Sequence, residues 1–317
     1  PKRLLVLGGG PIGCELAQAF QRLGCQVILV QRNERLLPRE DTDASAAVLA
    51  GLRKDGVDVR LQHRAERFEV IEGQRHVVCR DLSLDGEVVI EFDQLLVALG
   101  RANIKGFGVE ELQLQVRENG TLATDEYLAT RFPNIYAVGD VTGPFQFTHV
   151  SSHQAWYGSV NGLFGGFKRF KVDCRVIPWA TFTDPEVAHV GLNEQEAKAQ
   201  GIAYEVTRFG MDDLDRAIAD EAAYGYIKVL TVPGKDRILG ATIVGEHAGD
   251  LITEYVSAMK HGLGLNKILG TIHIYPTLAE ANKSVAGEWK RTHAPATVLR
   301  WLARFHRWRL GGSADWR

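Results

Sequence analysis

A glycine-rich turn between an apolar strand and a helix constrains the fold of this chain more than any other feature. An apolar run at residues 3–7 leads into Gly8-Gly9-Gly10-Pro11-Ile12-Gly13, and residues 12–23 then show helical periodicity. Gly24 is placed to end that helix, and a second apolar run follows at residues 26–30. Strand, turn, helix and strand in this order predict a βαβ unit, and hence an α/β domain.

The glycines of this turn match the pattern G-x-G-x-x-G, in which each has its own role. Gly8 allows the tight turn, Gly10 lets backbone amides approach a pyrophosphate, and Gly13 permits close packing of helix on strand. The helix N-terminus adds free N–H groups and partial positive charge. The pattern alone is weak, but in this strand–helix context it predicts dinucleotide binding. The predicted cofactor contacts are Gly8, Gly9, Gly10, Pro11, Ile12 and Gly13.

The residues after the second strand bear on the choice of nucleotide. NAD enzymes usually place an acid there to bind the adenosine ribose, whereas this chain continues with Gln31-Arg32-Asn33 and then Arg35. A 2′-phosphate is recognised by a planar cationic fork, which Arg32 can supply. NADP(H) is therefore favoured over NAD(H). The alternative is that Arg32 and Arg35 are solvated loop charges.

The remaining patterns divide the chain into an α/β part and an α+β part. Alternating apolar and polar residues over 68–92 predict an antiparallel meander, and residues 95–99 predict a buried strand. From residue 174 onward, short strands and helices, one of them capped by Asn193, indicate an α+β segment. The predicted fold is an α/β NAD(P)-binding, Rossmann-like domain with a meander, followed by an α+β domain. The first helix has one apolar face, which carries Ile12, Leu16, Ala19, Phe20 and Leu23.

Composition narrows the possible classes of protein. Hydrophobic residues at 45% and charged residues at 24% are typical of a soluble globular protein, and the net charge of −2 gives no reason to expect a nucleic-acid partner. No apolar run approaches the ~20 residues of a membrane span. The cysteines lack C-x-x-C or C-x4-C spacing, so we expect no metal site and no local redox disulfide, and a cytoplasmic location. They are Cys14, Cys25, Cys79 and Cys174.

A second motif, Pro-Asn-Ile-Tyr-Ala-Val-Gly-Asp-Val-Thr-Gly, occupies residues 133–143. The apolar run 135–138 predicts a short buried parallel strand that ends at Gly139 and then presents Asp140. An acid at the carboxyl end of a strand lies where open α/β sheets bind ligands. The alternative for an isolated Gly-Asp pair is an ordinary turn.

The whole phrase is more specific, because it resembles the second flavin-contacting motif of the pyridine nucleotide–disulfide oxidoreductases. This family includes dihydrolipoamide dehydrogenase and mercuric reductase, and the resemblance extends to about residue 289. It implies that Asp140 accepts a hydrogen bond from the ribityl chain of FAD and that Glu15 lies near the nicotinamide and flavin. Gly100 would belong to segment 100–103, which closes the nucleotide domain. The segment implied to face the flavin pyrimidine is Gln146, Phe147, Thr148 and His149.

Members of this family begin with an FAD domain that carries its own G-x-G-x-x-G and a C-x4-C redox pair. Neither is found here, so the resemblance implies that the chain is the C-terminal two-thirds of such an enzyme. The expected domains are 1–125 for NAD(P) binding, 126–172 as a remnant of the FAD domain, 173–292 for dimerisation at the interface, and 293–317 as a basic tail. In this family the dimer is obligate, because each subunit completes the active site of the other.

The C-terminal part departs from the family at the position of its catalytic His, which precedes a Pro and pairs with a Glu five residues later. Here Tyr275 stands at that position and Glu280 at the matching distance, while His273 lies two residues too early and is expected to pack. A Tyr of pKa ~10 is a poor base near neutral pH, although it can donate a hydrogen bond. No cysteine follows Cys174, which argues against mercury delivery by a C-terminal pair.

The resulting hypothesis is a fragment of an FAD-dependent oxidoreductase. Hydride would pass from NADPH through flavin to a disulfide-type or other small-molecule acceptor, with Glu15, Tyr275 and Glu280 at the reacting centre, in a homodimer. The chain alone is expected to bind NADPH without turnover. The alternative is a non-catalytic NAD(P)-binding and dimerisation module. In the tail, residues 296–309 form an amphipathic pattern interrupted by arginines, and packing on its own domain or on the dimer mate is favoured over membrane contact.

Overall fold

The computed structural model describes residues 2–101, 106 and 108–310, and these fall into two compact units. The first unit takes the chain up to Leu37 together with Leu52–Trp179. The second takes Pro38–Gly51 and the chain from Ala180 onward. The second unit therefore includes a short segment from early in the sequence.

The first unit is built on a four-stranded sheet in the order β3-β2-β1-β7, in which every neighbouring pair is parallel. The helix α1 connects β1 to β2, which is the predicted βαβ arrangement, and α2 connects β2 to β3. The elements of this unit are β1 Arg3–Leu7, α1 Pro11–Arg22, β2 Gln26–Val30, β3 Asp58–Arg60 and β7 Gln94–Val97, while most of α2 Thr42–Lys54 belongs to the second unit.

A three-stranded antiparallel sheet covers one side of this parallel sheet, and it confirms the predicted meander. Its strands are β4 His63–Ile71, β5 Gln74–Asp81 and β6 Gly86–Phe92. Burial of apolar side chains holds the two sheets together. The shared core consists of Leu5, Leu7, Val30, Val77, Cys79, Ile90 and Phe92.

In the first unit, one helix and one strand bury other side chains than the apolar pattern of the sequence predicts. Helix α1 exposes Ile12, Leu16 and Leu23, which belong to its apolar face, and packs through its small residues instead. Strand β7 lies at the sheet edge and exposes Leu95 and Val97. Apolar pattern therefore did not identify which faces are buried in this unit. The buried residues of α1 are Gly13, Cys14, Ala17 and Gln18.

The rest of the first unit carries the second motif. No strand forms at residues 135–138, so that prediction is wrong. Tyr136 makes only an isolated antiparallel bridge with Ala129. A 3-10 helix follows at Gly139–Thr142, and α3 spans Thr148–Phe164.

The second unit contains a five-stranded sheet in the order β10-β11-β12-β9-β8. The pairs β10–β11, β11–β12 and β12–β9 are antiparallel, as expected for an α+β segment. Asn193 caps α4 in a capping box with Glu196, which confirms the predicted cap. The strands are β8 Pro178–Thr181, β9 Glu186–Gly191, β10 Glu205–Gly210, β11 Tyr226–Thr231 and β12 Ile238–Gly245. The helices are α4 Glu194–Ala199, α5 Asp215–Ala219, α6 Ala248–Leu251, α7 Thr253–Lys260, α8 Leu265–Leu269, α9 Glu280–Thr292 and α10 Ala296–Arg309.

A buried lysine joins the early segment to this sheet. The side chain of Lys228 on β11 is 3% exposed, and its Nζ lies 2.8 Å from Asp41, 2.9 Å from Asp43 and 3.1 Å from Glu194. Burial alone would raise the pKa of Asp41, but Lys228 and the amide N–H groups of Gln195 and Glu194 hold that pKa below its usual value. The cluster therefore keeps Asp41 ionised inside the unit.

None of the helices within the described residues is both long and apolar enough to cross a membrane.

Candidate functional site: the glycine turn and the Asp140 turn

The glycine turn packs as its pattern predicts. The N–H of Gly8 donates to the carbonyl of Val30 at 2.9 Å and so ties the turn to β2. A Cβ on Gly13 would collide with the carbonyl oxygen of Gly8, because the helix begins directly against the end of β1. By contrast, a Cβ on Gly10 would meet no atom of the described residues within 4 Å. Open space therefore lies beside Gly10.

The N-terminus of α1 is exposed at the glycine turn. Gly10 is the N-cap, Pro11 occupies the first turn, and no side chain of the described chain caps the helix. The first turn contains no acid, and Pro11 and Ile12 are exposed. Free N–H groups with an unscreened dipole at an open turn fit a pyrophosphate. Glu15 lies half-buried further along the same helix.

A buried amide, which sequence reasoning missed, holds the turn in place. Gln31 directly follows β2, and its Oε1 accepts a hydrogen bond from the Gly9 N–H at 3.1 Å, while its Nε2 donates to the carbonyl of Arg35 at 3.2 Å. The residue is 8% exposed. Both polar atoms of this amide bond to backbone groups of the protein. An acid at the same position would instead accept a hydrogen bond from the ribose of NAD. The only signal in the sequence was Gln in place of that acid.

The cations around this turn differ in their surroundings. Arg32 is exposed and has no ion-pair partner among the described residues, whereas Arg35 is half-buried. Arg32 is therefore able to reach a ligand phosphate without first breaking an ion pair.

The Asp140 turn is held by α3. Gly139 has φ +75°, and a Cβ there would lie 2.7 Å from the Ser151 Oγ. Its N–H donates to the Gln154 Oε1 at 2.7 Å. The Ser151 hydroxyl donates to the Asp140 Oδ1 at 3.3 Å. Helix α3 thus fixes the turn that presents the carboxylate.

Arg101 connects this turn to the parallel sheet. Its Nη1 donates to the Asp140 Oδ2 at 2.6 Å and to the carbonyl of Gln146 at 2.9 Å. Arg101 follows Gly100 shortly after β7, which pairs with β1, so the carboxylate lies beside the sheet of the glycine turn. The Asp140 side chain remains 44% exposed. Ala102 and Asn103, the other residues of this segment, lie outside the described residues.

The start of α3 is a second open helix N-terminus. Phe147 is the N-cap, no described side chain caps the helix, and its first turn contains no acid. The Phe147 ring stacks on His149, with ring centroids 5.3 Å apart, and on Trp179 at 6.2 Å. His149 donates from Nε2 to the carbonyl of Pro178 at 2.8 Å. Exposed Thr148 and His149 therefore begin a helix whose positive end fits an anionic ring.

In the second unit, Tyr275 and Glu280 form hydrogen bonds with different residues. The Tyr275 hydroxyl donates to the Asp215 Oδ2 at 2.8 Å, while Glu280 accepts from the N–H of Thr277 at 3.3 Å. The hydrogen bond to Asp215 and the charge of that carboxylate raise the pKa of Tyr275 above its usual value. Tyr275 is 67% exposed, so its ring presents a protonated phenol at the surface of this unit. Asp215 was missed, because nothing in the sequence linked it to Tyr275.

His273 packs, as expected, against a polar group. Its ring Nε2 lies 3.0 Å from the Glu254 Oε1, and Asn282 donates to the other oxygen of that carboxylate at 2.8 Å. The His273 side chain is almost fully buried. It therefore anchors the segment that carries Tyr275 instead of facing solvent.

The cysteines are free thiols. Burial raises the pKa of Cys14 to about 12 and that of Cys79 to about 11, so both remain protonated near neutral pH. Among the described residues, no three His, Cys, Asp or Glu side chains come together in a group that could hold a metal ion.

Comparisons with known proteins identify the family of this chain. The family profile described as pyridine nucleotide-disulphide oxidoreductase matches residues 1–155, and the profile of the dimerisation domain of that family matches residues 177–286. The chain belongs to the pyridine nucleotide-disulphide oxidoreductase family. Both turns lie within the first match, and Tyr275 and Glu280 lie within the second.

Named members of the family align with this chain over nearly all of its length. It is 34% identical over 281 residues to the dihydrolipoyl dehydrogenase of Chlamydia muridarum, covering 88% of this chain and 58% of that protein. It is 35% identical over 289 residues to the mercuric reductase of Streptomyces lividans, covering 90% and 60%. The HOCl-induced flavoprotein disulfide reductase RclA from Escherichia coli matches with a TM-score of 0.80 at 29% identity, covering 90% and 65%. The chain thus spans about three fifths of the length of these proteins.

Proposed function

We propose that the first unit binds NADPH at the glycine turn. The observation that carries this proposal is the open N-terminus of α1, where Gly10 borders free space and Gln31 holds the turn through the Gly9 N–H. Residues 8–13 would hold the pyrophosphate, and Arg32 would hold the 2′-phosphate. In this proposal, residues 1–125 form the Rossmann-like NAD(P)-binding domain.

We further propose that Asp140 and the start of α3 bind FAD in the intact oxidoreductase. Asp140 would accept from the ribityl chain, and Gln146, Phe147, Thr148 and His149 would present backbone N–H groups and the helix dipole to the pyrimidine end. Arg101 holds the Asp140 side chain in a fixed orientation before the ligand arrives. When bound, the flavin would supply the redox chemistry between the nicotinamide and an acceptor. In the proposed domain division, residues 126–172 belong to that FAD site.

The second unit is proposed to form a homodimer through residues 173–292. Tyr275 would donate its single O–H to a thiolate or substrate oxygen at the dimer, in exchange for the hydrogen bond that it donates to Asp215 in this structure. Because its pKa is raised, Tyr275 would not act as a base near neutral pH. Glu280 would stabilise the turn before α9, and Glu15 would lie near the nicotinamide. The proposed acceptor is a disulfide or another small molecule.

The competing function is a non-catalytic NAD(P)-binding and dimerisation module. It would have no use for a carboxylate presented by a turn that α3 and Arg101 both hold. Flavin binding therefore distinguishes the two functions.

The choice of nucleotide is tested by Arg32→Ala. We expect the affinity for NADPH to fall on the order of tenfold to a hundredfold, because a charge-assisted hydrogen bond to the 2′-phosphate contributes about 1.5–3 kcal/mol. The affinity for NADH should change little. Isothermal titration calorimetry measures both, and Arg53→Ala, at another exposed arginine of this unit, is the control. Equal losses for the two nucleotides would remove the assignment of NADP(H).

Flavin binding is tested by Asp140→Asn in protein made from its complete reading frame. We expect wild-type protein to retain FAD through purification, and the variant to bind FAD at least about tenfold more weakly, because a neutral amide accepts a weaker hydrogen bond. Flavin absorbance and fluorescence titration measure this. Glu118→Gln, at an exposed acid of the same unit, should bind FAD normally. Wild-type protein that does not bind FAD would favour the module.

A further inference from the structure

Helix α10 is amphipathic, yet its apolar side chains are exposed. All residues of Ala296–Arg309 are exposed, including Trp301 at 63% and Trp308 at 77%. The dimerisation-domain profile ends at residue 286, so α10 lies beyond the part of the second unit that the family match covers. Helix α10 is therefore exposed and not buried against its own domain, which was one of the two packing arrangements expected for the tail.

The helix carries an aromatic row. Trp301, Phe305 and Trp308 follow the spacing i, i+4, i+7, which places them on one face. The rings of Trp301 and Phe305 stack with centroids 5.8 Å apart, and Phe305 and Trp308 are 6.0 Å apart. Val298 and Leu302 widen this face.

An arginine row runs beside the aromatic row. Arg300, Arg304 and Arg307 repeat the same spacing one residue earlier, which is roughly 100° around the helix. The helix contains no acid, and within the described part of the chain none of its arginines has an ion-pair partner. Among the described residues, this row of guanidinium groups is therefore open to a negatively charged partner molecule.

We propose that α10 is a docking helix for an anionic phospholipid surface. Its aromatic row would lie at the boundary between headgroups and acyl chains, and its arginine row would contact the phosphates. Tryptophan is enriched at this boundary because one edge of the ring is apolar and the other donates a hydrogen bond. Arginine stems lie along apolar surface while their guanidinium groups stay at the headgroups. A wide apolar face, a basic face and few other polar residues are typical of helices that lie in a membrane interface.

The charge pattern favours this occupant over a second copy of the helix. Pairing two α10 helices through their aromatic rows would bring two arginine rows close together without any acid from either helix. The apolar face is also wider than the narrow seam of a helix pair. An anionic bilayer supplies both an apolar layer and the missing negative charge.

The test is flotation of the protein with vesicles of phosphatidylcholine alone and of phosphatidylcholine mixed with phosphatidylglycerol. We expect binding to the anionic vesicles only, with affinity that falls as salt is raised. Changing Arg300, Arg304 and Arg307 together to Gln should weaken binding about fivefold per charge, on the order of a hundredfold in all. The same three positions changed to Lys should keep most of the binding.

Further variants separate a membrane role from packing on a partner. Changing Trp301, Phe305 and Trp308 together to Ser should abolish vesicle binding without altering the oligomeric state measured by sedimentation. Lys290→Gln with Arg291→Gln removes two basic residues from the end of α9 and should bind vesicles nearly as wild type does. The proposal is overturned by equal binding to neutral and anionic vesicles, by no binding, or by loss of an oligomer in the aromatic variant.

Discussion

Replacing Lys228 with Met is expected to lower the free energy of unfolding of the second unit by about 3 kcal/mol or more. The substitution removes the cation that faces three carboxylates, one of which, Asp41, is buried with it. Asp43 and Glu194 are half-exposed, so solvent screens part of their repulsion. Urea denaturation followed by circular dichroism measures the change.

Two further variants and the pH dependence of unfolding test whether the loss of stability comes from the unpaired carboxylates. Lys235→Met, at an exposed lysine in the turn between β11 and β12, should change the free energy of unfolding by less than about 0.5 kcal/mol. Adding Asp41→Asn to Lys228→Met should recover part of the loss. Asp41 has a lowered pKa in the folded state, so its contribution is present above its unfolded value of about 3.9 and is lost as the pH falls through its folded pKa. A deficit that is unchanged in acid would contradict this role for the cluster.

Two glycine substitutions should separate the stability of the glycine turn from its proposed ligand binding. Gly13→Ala should destabilise the first unit by about 1–3 kcal/mol and impair nucleotide binding, because its Cβ would collide with the Gly8 carbonyl. Gly10→Ala should leave stability nearly unchanged, since its Cβ enters open space and its φ of −79° suits any residue. It should nevertheless weaken NADPH binding more than about tenfold, by occupying the space where backbone amides would meet the pyrophosphate.

Thermal denaturation and calorimetric titration of both variants measure these effects. A Gly10→Ala protein that binds NADPH as tightly as wild type would place the nucleotide elsewhere. A Gly13→Ala protein of normal stability would show that the helix start tolerates movement.

Local pattern was enough to predict the elements that depend on neighbouring residues. The βαβ unit, the meander and the Asn193 cap follow from spacing, turn residues and capping chemistry, which act over a few positions. The prediction of a strand at 135–138 failed because a short apolar segment does not specify the strand it pairs with. Here only Tyr136 forms a bridge.

The buried faces and the polar partners were less accessible from sequence. Helix α1 lies close to the sheet through Gly13, so it packs small residues and exposes Ile12, contrary to the apolar pattern. The partners of Gly9 and Asp140 are Gln31 and Arg101, which lie 22 and 39 positions away. Such pairs are set by tertiary packing, and one sequence without geometry gives no direct sign of them.

The thiols of the first unit differ in exposure, so one of them can be labelled selectively with a dye. Cys14, Cys25 and Cys79 are buried, whereas Cys174 is partly accessible. Its sulfur accepts a hydrogen bond from Gln154, whose other end holds the Gly139 N–H. A maleimide dye would therefore modify Cys174 first, and its emission would report directly on the turn that presents Asp140.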